Sequence, residues 1–180
     1  MAKKNRKRAQ LREKLWPDAD EVTWYRKRET GWVTLPRTLP LISALINKLS
    51  KRDDASRVYV ELWFRQFDDG FVDIQDEEDN ANAAGYTTTG RAVRSWRERI
   101  DQLERLGFIR VKPKGTRERG YILLLHPHQV VRRLRDQGKI NDWWWSQFEH
   151  RATTIGAQLP DVVKKKAFAS PFDPDDDLPF

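Results

Sequence analysis

The chain has 180 residues, long enough for one domain with its own core plus tails, and its length favours a single core over two very small ones. With no cysteine there is no disulfide, thiolate metal site or thiol nucleophile, and 38% hydrophobic against 34% charged residues, without a long apolar run, argues against a membrane span. A formal net charge of +7 favours a polyanionic partner, because neutralising phosphates releases counterions.

In chain order, Met1 to Lys14 carries Lys3, Lys4, Arg6, Lys7, Arg8, Arg12 and Lys14 against the single Glu13. Its apolar surface is too small to offset ordering entropy, so residues 1–15 are expected to form a disordered basic arm, either solubilising or phosphate-contacting. No apolar stretch of the kind that marks a secretory signal follows, and a cytoplasmic location is expected. Residues 16–152 are read as one domain. Trp16-Pro17 punctuates its start, and Glu21 to Thr34 reads as irregular or extended around Gly31.

From Leu39 the spacing of Leu41, Ile42, Leu45, Ile46 and Leu49 predicts a core helix, with Pro40 suited to its first turn. Val60, Trp63, Phe64 and Phe67 place a second helix at about Ser56 to Gln66, ended by Gly70, and Phe71 to Ile74 alternates as a short strand. The acidic stretch from about Glu77 to Ala84 predicts a short helix, Ala84-Gly85-Tyr86 a turn, and Thr88 to Leu106 a longer helix that buries Val93, Trp96, Ile100 and Leu103. That is helix-turn-helix order.

Gly107 stops the long helix, and Phe108 to Lys112 and Tyr121 to Leu125 are expected as strands around a polar loop, Pro113 to Gly120: a wing. Helices of about His128 to Gln137 and Asn141 to Arg151 follow. Residues 153–180 read as a flexible tether, basic at Lys164-Lys165-Lys166 and acidic at its end. The fold class is therefore mainly α with a small β wing (α+β): a winged helix-turn-helix core, extra C-terminal helices and disordered tails.

In that architecture the second helix of the unit presents its N-terminal residues to base edges in the major groove, and the hairpin reaches phosphates or the minor groove. Thr87, Thr88 and Thr89 precede the helix, where hydroxyls and free amides suit a phosphate, and Arg91, Arg94, Ser95 and Arg97 take its early exposed positions. Arginine's planar fork reads guanine, each bidentate pair contributing about 1–3 kcal/mol of discrimination. Lys112, Lys114, Arg117 and Arg119, with Thr116 among them, are expected on the wing loop as phosphate contacts. The competing view makes these arginines a solvated helix face paired locally with Glu98, Asp101 and Glu104.

Gly90 to Leu125, above all the run Arg105-Leu106-Gly107-Phe108-Ile109, resembles the winged helix-turn-helix domains of bacterial regulators and plasmid replication proteins. The resemblance implies a DNA-binding fold without fixing the process served. The last residues, Asp175, Asp176, Asp177, Leu178, Pro179 and Phe180, look like the tip of bacterial single-stranded DNA-binding proteins, an acidic run closed by Ile or Leu, Pro and Phe. By resemblance, its partners are host replication and repair proteins. A terminal Phe would bring a ring and a carboxylate together to a pocket with an apolar floor and a basic rim. The five-stranded oligonucleotide-binding barrel of that family has no counterpart in the pattern, so the chain has the tail without the usual head.

Trp143-Trp144-Trp145 fall about 100° apart on a helix, so at least one is expected to be exposed or at an interface, for base stacking or for packing and dimer contact. His126, His128 and His150 lack metal spacing, and the acidic stretch lacks the Lys or His of a nuclease site, so neither metal, cofactor nor enzymatic activity is expected. The leading expectation is an accessory protein that binds single-stranded or duplex DNA, with a homodimer compatible, and recruits partners through its tip. A sequence-specific duplex regulator or plasmid replication or partition protein, and a protein-interaction module that binds no DNA, remain open.

Overall fold

A computed structural model describes residues 2–23, 30–50, 54–88, 90–157 and 159 of the chain. The chain divides into two compact units, Met1–Thr34 and Leu35–Phe180. In the first unit, the arm expected to lack order is helix α1, Ala2–Leu15. Its sequence holds no glycine, proline or β-branched residue and is rich in Ala, Lys, Arg, Leu and Gln, so backbone propensity favours a helix even without an apolar stripe. A short helix α2, Ala19–Val22, follows, and Asp20 accepts an ion pair from Arg12.

The second unit contains the core. Helix α3, Leu39–Leu49, buries Leu39, Ile42, Leu45 and Ile46 on one stripe, the spacing that puts side chains on a single face. Its end and the start of α4, Ala55–Arg65, are tied by Asn47 Oδ1, which accepts from the amide of Ser56 at 3.0 Å. Val58, Tyr59 and Leu62 of α4 are fully buried. Strand β1, Phe71–Asp73, leads to α5, Glu77–Ala83. Three acidic residues fill the first turn of α5, where they complement the helix dipole, and Asp76 caps it by accepting from the Glu78 amide at 2.8 Å.

Helix α6, Ala92–Leu106, starts later than its apolar pattern suggests. Gly90 holds a positive φ of 78°, a conformation that breaks helical continuity, and the amides of Arg91 and Ala92 both donate to the Thr88 carbonyl at 3.1 Å. The helix ends at Gly107, whose φ of 76° suits a left-handed cap. A Cβ there would also lie 1.8 Å from the guanidinium of Arg133, which crosses to donate to the Leu106 carbonyl at 2.9 Å and would have to shift.

Strands β2, Ile109–Lys114, and β3, Arg117–Leu124, pair antiparallel, and β1 pairs on the other side of β3, giving the sheet order β1-β3-β2. The expected polar loop shrinks to Gly115 and Thr116, because the ladder continues to the pair Lys114 and Arg117. Helices α7, Pro127–Asp136, and α8, Asp142–Ile155, complete the unit, α8 capped by Asn141 Oδ1 on the Trp144 amide at 2.9 Å. The architecture is mixed α+β, with eight helices and a three-stranded antiparallel sheet among the described residues. None of these helices is long and apolar enough to cross a membrane.

One core joins the layers of this unit. Trp96, Ile100 and Leu103 of α6 meet Ile42 and Ile46, Tyr59 and Leu62, Ile109 and Ile122, while Val130, Val131 and Leu134 of α7 and Trp145 and Phe148 of α8 extend the same cluster. His128 belongs to this architecture. It is buried, and its Nε2 shares a hydrogen bond of 2.7 Å with Thr38 Oγ1, fixing the start of α7 beside the start of α3.

Candidate nucleic-acid interface

The N-terminal turn of α6 is oriented from beneath by a buried polar network. Arg99, only 6% exposed along its side chain, lies on the apolar stripe between Trp96 and Leu103, where a guanidinium must be paired to be tolerated. Asp54, at the cap position of α4, meets it bidentately, with Nε to Oδ1 at 2.6 Å and a terminal nitrogen to Oδ2 at 3.0 Å. Tyr86 donates its hydroxyl to Asp54 Oδ2 at 3.1 Å and places its ring 5.5 Å from the guanidinium. Burial opposes the charge on Arg99, but the bond to Asp54 and that residue's negative charge outweigh it and raise the Arg99 pKa. Burial, then the charge of Asp54, push the Tyr86 phenol up to about 12.

This network links the start of α4, the turn after α5 and the first half of α6. The expectations from sequence do not include it, although a charged residue at the centre of an apolar stripe is itself a signal of a buried partner.

Above the network, Thr87, Thr88, Arg91 and Arg94 are exposed, Ser95 is half-buried, and Thr89 lies outside the described residues. Arg94 makes a loose i,i+4 pair with Glu98 at 3.2 Å while its side chain remains 82% exposed. Such a surface pair contributes about 0–1 kcal/mol, so it yields easily to a phosphate or a base. Arg97 is different. It bonds Glu77 of α5 with Nε at 2.8 Å and with a terminal nitrogen, and that hydrogen bond, more than any other influence, raises its pKa. It links α5 to α6 while its side chain stays half-exposed.

The hairpin cations are also engaged, contrary to the expectation of a loop with little to pack against. Lys114 bonds both oxygens of Asp73 at 2.8 Å. Arg117 donates to the Ile74 carbonyl at 2.9 Å. Arg119 grips Asp101 of α6 with Nε at 2.9 Å and a terminal nitrogen at 3.0 Å, and also reaches Glu118. Lys112 is exposed on β2. Because the strands extend almost to the tip, these side chains fall where neighbouring elements supply carboxylates and carbonyls. The local-pairing view names Glu98 and Asp101 correctly as partners, of Arg94 and Arg119, but Arg97 pairs instead with Glu77 of α5, 20 positions away.

The tryptophan run divides as its helical geometry requires. Trp143 is 71% exposed, whereas Trp144 and Trp145 are buried. Trp144 stacks on Phe148 at 5.3 Å with planes 13° apart, and Trp145 packs beneath Arg135, 4.2 Å from its ring centre. The Asp175–Phe180 segment lies outside the described residues. A groove of about 300 Å³ between α4 and α5, lined by Arg57, Val60, Glu61, Phe64, Arg65 and Ala83, brings together none of the expected site residues.

Comparison with protein-family models, curated proteins and solved structures finds no match for this chain.

Proposed function

We propose that the chain is a DNA-binding accessory protein with a winged-helix core, whose α6 enters the major groove by its N-terminal turn and whose Asp175–Phe180 segment recruits host replication or repair proteins. One observation carries the DNA reading. The run α4, β1, α5, α6, β2, β3, with the sheet in the order β1-β3-β2, matches the helix–strand–helix–helix–strand–strand plan of a winged helix and leaves Arg91 and Arg94 exposed at the start of its third helix.

A major groove about 12 Å wide admits such a helix, and arginine offers the bidentate geometry that guanine accepts. The formal net charge of +7 supplies the sequence-independent attraction that precedes readout. Recruitment rests on the acidic-Leu-Pro-Phe pattern at residues 175–180.

A second reading, a sequence-specific duplex regulator in which that segment is incidental, draws on the same pair of arginines. Nuclease-treated bacterial lysate passed over the full chain, and over a version lacking Phe180, separates the two. Replication or repair proteins retained only by the full chain support recruitment; identical captures reject it and leave the regulator. Absence of a salt-dependent affinity for duplex DNA rejects the α6 contact in both readings, since each phosphate contact steepens the salt dependence.

A further inference from the structure

The outer face of the sheet carries groups that the α6 contact does not use. In an antiparallel ladder, directly opposed residues share a face and every second pair follows them. The register therefore sets Phe71, Leu123 and Arg110 in one row and Asp73, Tyr121 and Lys112 in another on the same face. The row between them, Val72, Ile122 and Val111, turns toward the core, with Val72 and Ile122 buried. Phe71 and Leu123 are instead 44% and 39% exposed.

Two features make this face more than stray apolar surface. The rings of Phe71 and Tyr121 stack on each other with centroids 5.7 Å apart and planes 30° from parallel, forming one continuous aromatic step. Lys114 sits 5.3 Å from the centre of the Tyr121 ring while it neutralises Asp73, the carboxylate in these rows. Arg110 and Lys112 then project from β2, an edge strand of the sheet. Arg110 also adds positive potential toward Arg133, whose pKa is lowered first by burial and then by that neighbouring charge.

We propose that this face is a second nucleic-acid site, on which bases of an unpaired strand stack against Phe71 and Tyr121 while the phosphates run past Arg110 and Lys112. Bases in a duplex are already stacked and offer no free face, so the site selects single strands; stacking tolerates any sequence because every base has a π-face. Charge complementarity favours nucleic acid over a second copy of the chain, since a two-fold contact through this face would set its cations against the same cations. The site stands apart from the α6 contact and survives if that contact fails.

The test uses the full chain with a labelled oligothymidylate and, separately, a labelled duplex of equal length. Phe71→Ala and Tyr121→Ala are each expected to weaken single-strand binding about five- to a hundred-fold, the loss typical of a base-stacking ring, and to leave duplex binding unchanged. Phe71→Leu, which keeps apolar bulk but removes the ring, should lose as much. An Arg91→Ala/Arg94→Ala variant should show the opposite pattern, which separates failure of this site from failure of the α6 reading.

Photocrosslinking of the unaltered chain to a bromodeoxyuridine oligomer should label peptides containing Phe71 or Tyr121, whatever the variants do to folding. Single-strand affinity that is absent, or unmoved by loss of either ring, overturns the proposal. So does crosslinking elsewhere, or a dimer that dissociates on Phe71→Ala.

Discussion

The first turn of α6 and the β2–β3 hairpin carry the same kinds of residue in opposite circumstances. Arg91 and Arg94 stand at a helix start where Arg94 makes only a loose surface pair with Glu98, a carboxylate it shares with Arg99. Lys114, Arg117 and Arg119 are each bound by Asp73, the Ile74 carbonyl or Asp101, and Arg97 is bound by Glu77. The lesson is that a cation's worth to a ligand depends on what it must first release. Breaking the Arg94–Glu98 pair costs little in water, while withdrawing Arg119 from Asp101 gives up two well-formed charge-assisted bonds at a site where Arg119 is 18% exposed.

The largest effect expected from testing this contrast lies below both regions. Arg99→Ala removes the cation paired with Asp54 and should destabilise the fold by about 3 kcal/mol, the low end for a broken buried pair because Asp54 keeps the Tyr86 hydroxyl and some exposure to water. Chemical denaturation measures it, and a loss below about 1 kcal/mol would mean that the network does not orient α6.

Next comes the paired substitution Arg91→Ala/Arg94→Ala. It should weaken duplex binding by about 1–3 kcal/mol for each guanine no longer read, while stability stays within about 0.5 kcal/mol of the parent. Arg119→Ala should behave in the reverse sense, costing about 1 kcal/mol of stability and leaving DNA affinity almost unchanged.

The smallest effect is a pH dependence. With the Tyr86 phenol raised to about 12, the folded state favours its neutral form; this contribution is fully present below the ordinary tyrosine value near 10 and is lost as pH rises toward 12. Tyrosinate absorbance of the parent minus that of Tyr86→Phe should isolate a transition in that window. A difference curve centred near 10 would contradict the burial of Tyr86 against Asp54.

Much of the fold is legible from periodicity. The stripes Leu39, Ile42, Leu45, Ile46 and Trp96, Ile100, Leu103 place α3 and α6, and Gly107 marks the stop, because burial and glycine's backbone freedom act locally along the chain. What periodicity does not supply is the partner of each charge. Asp101 and Arg119 are 18 positions apart, and Asp54 and Arg99 are 45 apart, so a reading based on neighbours within one helical turn leaves both arginines without a fixed role. The polar stretch Pro113 to Gly120 reads as loop because it is charged and holds proline and glycine, yet Lys114 and Arg117 close a two-residue turn at Gly115-Thr116, a local signal that polarity masks. For α1 the imbalance runs the other way: its missing apolar surface argues against order, yet good helix formers suffice.

Duplex affinity across a salt series, for two variants side by side, decides whether the exposed α6 arginines rather than the engaged hairpin cations meet DNA bases. Arg91→Ala/Arg94→Ala should lose affinity and sequence discrimination, and Lys114→Ala/Arg119→Ala should retain both. Equal loss in the two variants, or loss confined to the second, would show that the hairpin cations take part in the contact.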